Sequence, residues 1–199
     1  MGVFDTIDIH NLELCPGEEF FSGLSTRLYY APASFFFKTP LPDPDTSFES
    51  EIIITDEIMM YPGKKIRYVD ILIDENELKV TPLGNPTRKK VKTVIELYIL
   101  GFTPSILGFL HRCMNESLIF FIKDSNGNNW QIGTLRNRSF IENFEGTTGK
   151  KVDDNSGLML TISCNSSLFI YTNSLESFAI PGDFNNDFNN DFYISNNDN

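Results

Sequence analysis

Histidine, cysteine and tryptophan are scarce in this chain: two, three and one among 199 residues. Catalysis by a serine or cysteine nucleophile needs a base within reach. The two histidines, His10 and His111, lie far apart. His111 stands two residues from Cys113, a spacing that sends side chains to different sides of a helix. A helix-surface histidine and a core thiol are therefore expected. Cys15, Cys113 and Cys164 have no short spacing, so neither a zinc site nor a disulfide framework is expected, and the thiols are read as reduced and buried. No apolar run approaches the length of a membrane span. No basic region followed by an apolar stretch opens the chain, so no secretory signal is expected. Positive charge is short as well. Lys and Arg number 16 against 27 Asp and Glu, for a net charge of -11. General nucleic-acid binding draws its affinity from Lys and Arg at phosphates, and this balance argues against it. It also argues against attachment to anionic lipid. An acidic surface serves solubility, or forms a wall that DNA can pass without sticking.

What is abundant is the material of β-structure. Phe numbers 18, and the stretch from Ser117 to Cys164 organises the rest. Leu118-Ile119-Phe120-Phe121-Ile122 is apolar, aromatic and β-branched, as suits a strand buried on both faces. Asp124-Ser125-Asn126-Gly127-Asn128-Asn129 is a tight reversal into Trp130–Leu135. Arg138–Phe144 and Leu158–Cys164 are further strands. Between these two, Gly146–Gly157 is polar and glycine-rich and is expected to project. Its Asp153-Asp154 pair reads as solvated, and Lys150 after Gly149 lacks the spacing of a phosphate loop.

Upstream, Val3–Ile9, Arg27–Tyr30, Ser50–Thr55, Ile66–Ile73, Glu77–Leu83 and Thr93–Leu100 read as strands. Tyr61-Pro62-Gly63-Lys64 has type II turn chemistry. Arg88–Lys92 is a basic cluster, read as a solvated edge that blocks sticky pairing. Phe35-Phe36-Phe37 leads into Thr39-Pro40-Leu41-Pro42-Asp43-Pro44, whose prolines exclude a helix interior or central strand. The Phe triplet either plugs the core or grips a neighbouring subunit. One helix is expected over about 103–114. Thr103 is its N-cap, Pro104 fits the first turn, and Ile106, Leu107, Leu110 and Met114 form its apolar stripe. Gly108 would allow close approach to a strand.

The chain divides into a β domain over 1–173 and an acidic Asn/Asp/Phe-rich C-terminal arm over 174–199. The arm lacks Lys and Arg and repeats Asp-Phe-Asn-Asn from Asp183 to Phe192. Its composition does not support a packed core, so an extended arm is expected, anchored on a neighbouring chain by Phe184, Phe188 and Phe192. Asp183, Asn185 and Asp187 mimic half a calcium loop. The glycine and the bidentate glutamate of that loop are missing.

Several pieces together resemble tail-tube-like virion proteins of phages that infect Bacteroidetes, including crAss-like phages. They are Leu28-Tyr29-Tyr30-Ala31-Pro32, Ile106–Leu110, Phe120–Gly133 with its Asp124–Gly127 turn, and Thr147-Thr148-Gly149-Lys150 through Asp153-Asp154-Asn155. They span residues 27 to 164; the acidic extension departs from the pattern. The resemblance implies a mainly β fold, an antiparallel β-sandwich or open β-barrel with one flanking α-helix. It implies a homo-oligomeric ring of the virion neck or tail, made in the bacterial host cytoplasm, with neighbouring neck or tail proteins as partners. DNA would be passing cargo. No catalytic residue, cofactor, metal or membrane is expected. Phe35, Phe36, Phe37, Thr147, Thr148 and Lys150 are the expected subunit contacts in the folded part. The alternative reading is a carbohydrate- or cell-surface-binding β-sandwich, with Trp130 and exposed Tyr stacking on sugar.

Overall fold

A computed structural model describes residues 21–43, 47–151 and 155–175. The expected strand at Val3–Ile9, Cys15 and the arm's phenylalanines lie outside the described residues. The architecture is mainly β with one helix. Its strands are β1 (Leu24–Pro32), β2 (Phe36–Lys38), β3 (Ile53–Ile54), β4 (Met59–Met60), β5 (Arg67–Asp70), β6 (Glu77–Leu83) and β7 (Lys90–Leu100). After the helix α1 (Pro104–Cys113) come β8 (Leu118–Asp124), β9 (Asn129–Ile132), β10 (Ser139–Thr147), β11 (Gly157–Cys164) and β12 (Phe169–Tyr171). Ten strands form one sheet, and β2 and β4 form a second, small one.

The large sheet branches at β8. Along one edge β8 pairs with β1, Leu28 to Pro32 against Ile122 to Leu118. Along the other it pairs with β9 and then, at Leu118 alone, with Ser139 of β10. Two half-sheets result: β5-β1-β8-β9-β12-β3 and β10-β11-β7-β6. All pairs but one are antiparallel; β12 and β3 run parallel. The half-sheets pack face to face. Leu28, Phe120, Ile122 and Ile132 from the first meet Ile95, Leu97, Ile99, Leu158, Leu160 and Ile162 from the second. The opposite face of the first half-sheet carries a second core. There Tyr29, Ala31, Ile119, Phe121 and Tyr171 are covered by Phe36, Ile58 and Ile66. Side chains alternate across a strand, so β8 feeds both cores, and Leu118 through Ile122 are fully buried.

The β8–β9 reversal is built on Asp124. Its backbone accepts from Gly127, and its carboxylate accepts from the Asn128 backbone, the Asn128 amide and the Trp130 indole at 2.8, 3.0 and 2.9 Å. Gly127 takes a φ of 92°, open to glycine at little cost. Tyr61-Pro62-Gly63-Lys64 is the expected turn, with Gly63 at φ 74° and Lys64 N–H on the Tyr61 carbonyl at 3.0 Å. The helix starts as its sequence specifies: the Thr103 side chain accepts the Ile106 N–H, and Pro104 opens the first turn.

Three expectations need correction. Ser50–Thr55 is mostly a turn, since Ile52 and Ile53 both donate to the Glu49 carbonyl, and only Ile53–Ile54 pair as strand. The buried helix face is Ile106, Phe109, Leu110 and Cys113, while Leu107 and Met114 are exposed. The Tyr30–Phe109 ring contact, with centroids 4.9 Å apart, sets that rotation. Gly108 faces open space and approaches nothing. Cys113 and Cys164 are buried free thiols, and burial pushes the Cys164 pKa up to about 11.

Phe121→Ala removes the ring that joins Phe36 and Tyr171 in the second core. It should cost roughly 3–5 kcal/mol by urea denaturation, whereas Phe144→Ala, on the exposed part of β10, should cost less than about 0.5 kcal/mol. A pH effect also follows from Asp124. Burial raises its pKa, but the Asn128 amide, the Trp130 indole and backbone N–H groups outweigh burial and hold it below the ordinary value. A depressed folded pKa stabilises above the unfolded value and is lost as pH falls through the folded one. Asp124→Asn should therefore be less stable than the parent chain at about pH 7, with the gap closing as pH falls below the ordinary carboxylate range. Emission from Trp130, the only tryptophan, reads both.

Candidate assembly interface

The Phe triplet is split between core and surface. Phe36 is buried in the second core. Phe35 is half-buried against that core, with Lys64 Nζ 4.6 Å above its ring. Phe37, the next residue along β2, is 63% exposed and stacks edge-on against Tyr61 with centroids 5.7 Å apart. Alternation along an extended strand produces this split. Tyr61 lies just beyond β4, where its N–H donates to the Phe35 carbonyl at 3.0 Å. Met59 on β4 is also exposed. Phe37, Met59 and Tyr61 thus share the small sheet and leave large apolar surface in water. Contiguous exposed apolar surface of this kind marks interaction sites.

Thr147 ends β10, opposite Gly157, so the expected projecting loop is the tip of the β10–β11 hairpin. Its base is packed by rings. A side chain at Gly157 would meet the Tyr98 hydroxyl, and one at Gly146 would meet the Phe102 ring. Thr147 Oγ1 accepts the Gly149 N–H at 3.1 Å, and Gly149 has a φ of 76°. Thr148 and Lys150 are exposed beside it. The Phe triplet and the hairpin tip arise from separate elements.

Among the described residues, the half-sheet that carries this hairpin has two free edges. β11 covers one side of β10, while on the other side β10 pairs only at Ser139, which leaves Phe140–Thr147 open. At the far end β6 pairs with β7 and with no other described strand. Pro82 removes one donor from β6 near its end. The sheet face turned away from the core bears Glu77, Glu96, Glu142 and Glu145 with Lys79, Lys90 and Lys92, and exposed Leu100 and Met159 lie among them. Lys79 contacts Glu77 and Glu96 at 2.8 and 3.2 Å, and Lys92 contacts Glu142 at 2.9 Å. These pairs leave an acidic excess on that face.

Trp130 is half-buried, packs against the first core and donates to Asp124. His111 is exposed and Cys113 buried. Among the described residues, no group of three or more His, Cys, Asp and Glu side chains is placed to hold a metal ion. No described helix is long and apolar enough to cross a membrane. The open edges of β6 and β10 were missed in the sequence; the alternating Glu77–Leu83 pattern identified β6 as a strand but could not say what lay beside it.

No family model, curated protein or solved structure matches the chain.

Phe37→Ala combined with Tyr61→Ala should lower the mass of any self-assembled species in light scattering while leaving the urea midpoint nearly unchanged. Phe36→Ala should instead lower the midpoint, because it opens a cavity in the second core.

Proposed function

We propose that the protein is a structural, non-enzymatic component of a phage virion, forming a homo-oligomeric ring of the neck or tail through which DNA passes. The observation that carries this reading is the pair of open edges on the half-sheet β10-β11-β7-β6. Successive strands in it are antiparallel, so β10 and β6 run in opposite directions. Rotation about a common axis preserves strand direction. The β6 edge of one copy would therefore meet the β10 edge of the next in antiparallel register, and the sheet would continue around the ring. Closure of this kind removes exposed edges, which otherwise invite uncontrolled pairing.

The geometry also suits passing DNA. The inner face of this half-sheet is sealed by the first core, so its polar face would line the ring. The acidic excess there repels phosphate at short range within the Debye length. The exposed Phe37–Tyr61 pair and the tip at Thr147, Thr148 and Lys150 would meet adjacent subunits or adjacent virion proteins. The resemblance to phage tail-tube-like proteins points the same way.

Lysine placed on an edge strand blocks pairing without unfolding the sheet. Val80→Lys on β6, or Asn143→Lys on β10, should reduce an assembled species to single chains in sedimentation, with the thermal midpoint nearly unchanged. A parent chain that sediments as 22.7 kDa at every concentration, and that binds oligosaccharide, would favour the carbohydrate-binding alternative.

A further inference from the structure

A chain with this acidic balance nevertheless gathers three cations around one groove. Lys89 and Lys90 at the start of β7 face Arg136 across a cavity of about 520 Å³, with Asn165, Ser166 and Phe169 among its other lining residues. Among the described residues, no carboxylate pairs with Lys89, Lys90 or Arg136. Elsewhere Arg27, Lys38, Lys79 and Lys92 are all paired.

The walls are fixed by internal bonds. Thr134 N–H donates to the Asn137 carbonyl at 2.8 Å, and Asn137 N–H donates to Thr134 Oγ1 at 3.0 Å, which holds Arg136 at the tip of a closed turn. Leu135 N–H donates to Thr39 Oγ1 at 3.0 Å, bringing the Leu41 segment alongside. Buried Thr93 donates to the Ser166 carbonyl at 2.9 Å and anchors the opposite wall. The groove therefore offers cations, side-chain amide and hydroxyl groups, and apolar surface at Leu41, Val91 and Phe169.

We propose that this groove is the docking site of the chain's own acidic C-terminal segment, Asp183–Phe192. The segment's chemistry complements the groove. Asp183, Asp187 and Asp191 each precede a Phe, with Asn pairs between them and no Lys or Arg anywhere from Ser174 to Asn199. The carboxylates would meet Lys89, Lys90 and Arg136, and the rings would cover Leu41 and Phe169. Tether length permits it. Phe169 lines the groove, Leu175 lies within about 21 Å of it along the chain, and Leu175 to Asp183 can span a further ~28 Å. A short tether gives an effective concentration on the order of millimolar, which favours the chain's own segment over that of another copy. The docked segment would mask this cationic patch. The proposal stands apart from ring formation.

A zero-length carboxyl-to-amine cross-linker applied to the full chain tests it, with unlabelled and ¹⁵N-labelled copies mixed. Peptide mass spectrometry should find Asp183, Asp187 or Asp191 joined to Lys89 or Lys90 several-fold more often than to Lys64 or Lys123, in same-label pairs. Arg136→Gln, an exposed turn residue, should lower those yields several-fold and leave Lys64 and Lys123 yields unchanged. Cross-links spread evenly over the four lysines, mixed-label pairs as frequent as same-label ones, or yields indifferent to Arg136→Gln would overturn the proposal. Because label pairing separates same-chain from between-chain contacts, the result is independent of whether copies assemble.

Discussion

Burial of β8 on both faces is the constraint from which the rest of the architecture follows. A strand that puts Leu118, Phe120 and Ile122 into one core and Ile119 and Phe121 into another needs a layer on each side. One layer is the half-sheet β10-β11-β7-β6. The other is the small sheet β2–β4 with the turns around Ile58 and Ile66. Each of these buried side chains contributes roughly 1.5–3 kcal/mol of transfer free energy. No other described strand is so completely enclosed along its apolar run. Asp124 and Gly127 close the hairpin at its end, and Asn126 reaches back to hold the chain at Phe21, its amide bonding both the N–H and the carbonyl there at 2.9 Å.

The proposed function is a consequence of how unevenly that enclosure is distributed. The first half-sheet is covered on both faces. Among the described residues, the second is covered on one face only and joins the first through a single register position, Ser139 opposite Leu118. It is therefore left with a polar face, two free edges and a protruding hairpin. Those are the features that a subunit needs for lateral repetition around an axis. The small sheet adds a separate apolar patch, because alternation along β2 commits Phe36 to the interior and leaves Phe37 outside.

Much of this was legible locally. The five-residue apolar run announced a strand buried on both faces, Asp124–Asn129 announced its turn, Thr103-Pro104 announced the helix start and Pro62-Gly63 a type II turn, because each depends on residues adjacent in the chain. What depended on distant partners was not legible. Ile52 resembles a strand residue, but its N–H is captured by Glu49. Leu107 fits an apolar stripe, but packing of Phe109 on Tyr30 turns it to solvent. The triplet at Phe35–Phe37 did not show which ring is buried, and only the placement of the second core puts Phe36 inside and Phe37 outside. The cationic groove is invisible in the sequence because Lys89 and Lys90 look like an edge-blocking cluster until Arg136 and Ser166 are brought beside them. The open edges of β6 and β10 are likewise properties of strand order.

Hydrogen exchange at single-amide resolution, on the full chain at a dilution that yields single chains and again in the assembled state, tests the central claim most directly. Amides of Ile119–Ile122 should be among the slowest to exchange in both states, opening only with global unfolding. Outward-facing amides of Glu77–Thr81 and Phe140–Thr147 should exchange quickly in the single chain and slow by at least about tenfold on assembly, as edge strands that gain a neighbour do. Edge amides that exchange equally fast in both states, or β8 amides that exchange as fast as those of β6, would contradict the account.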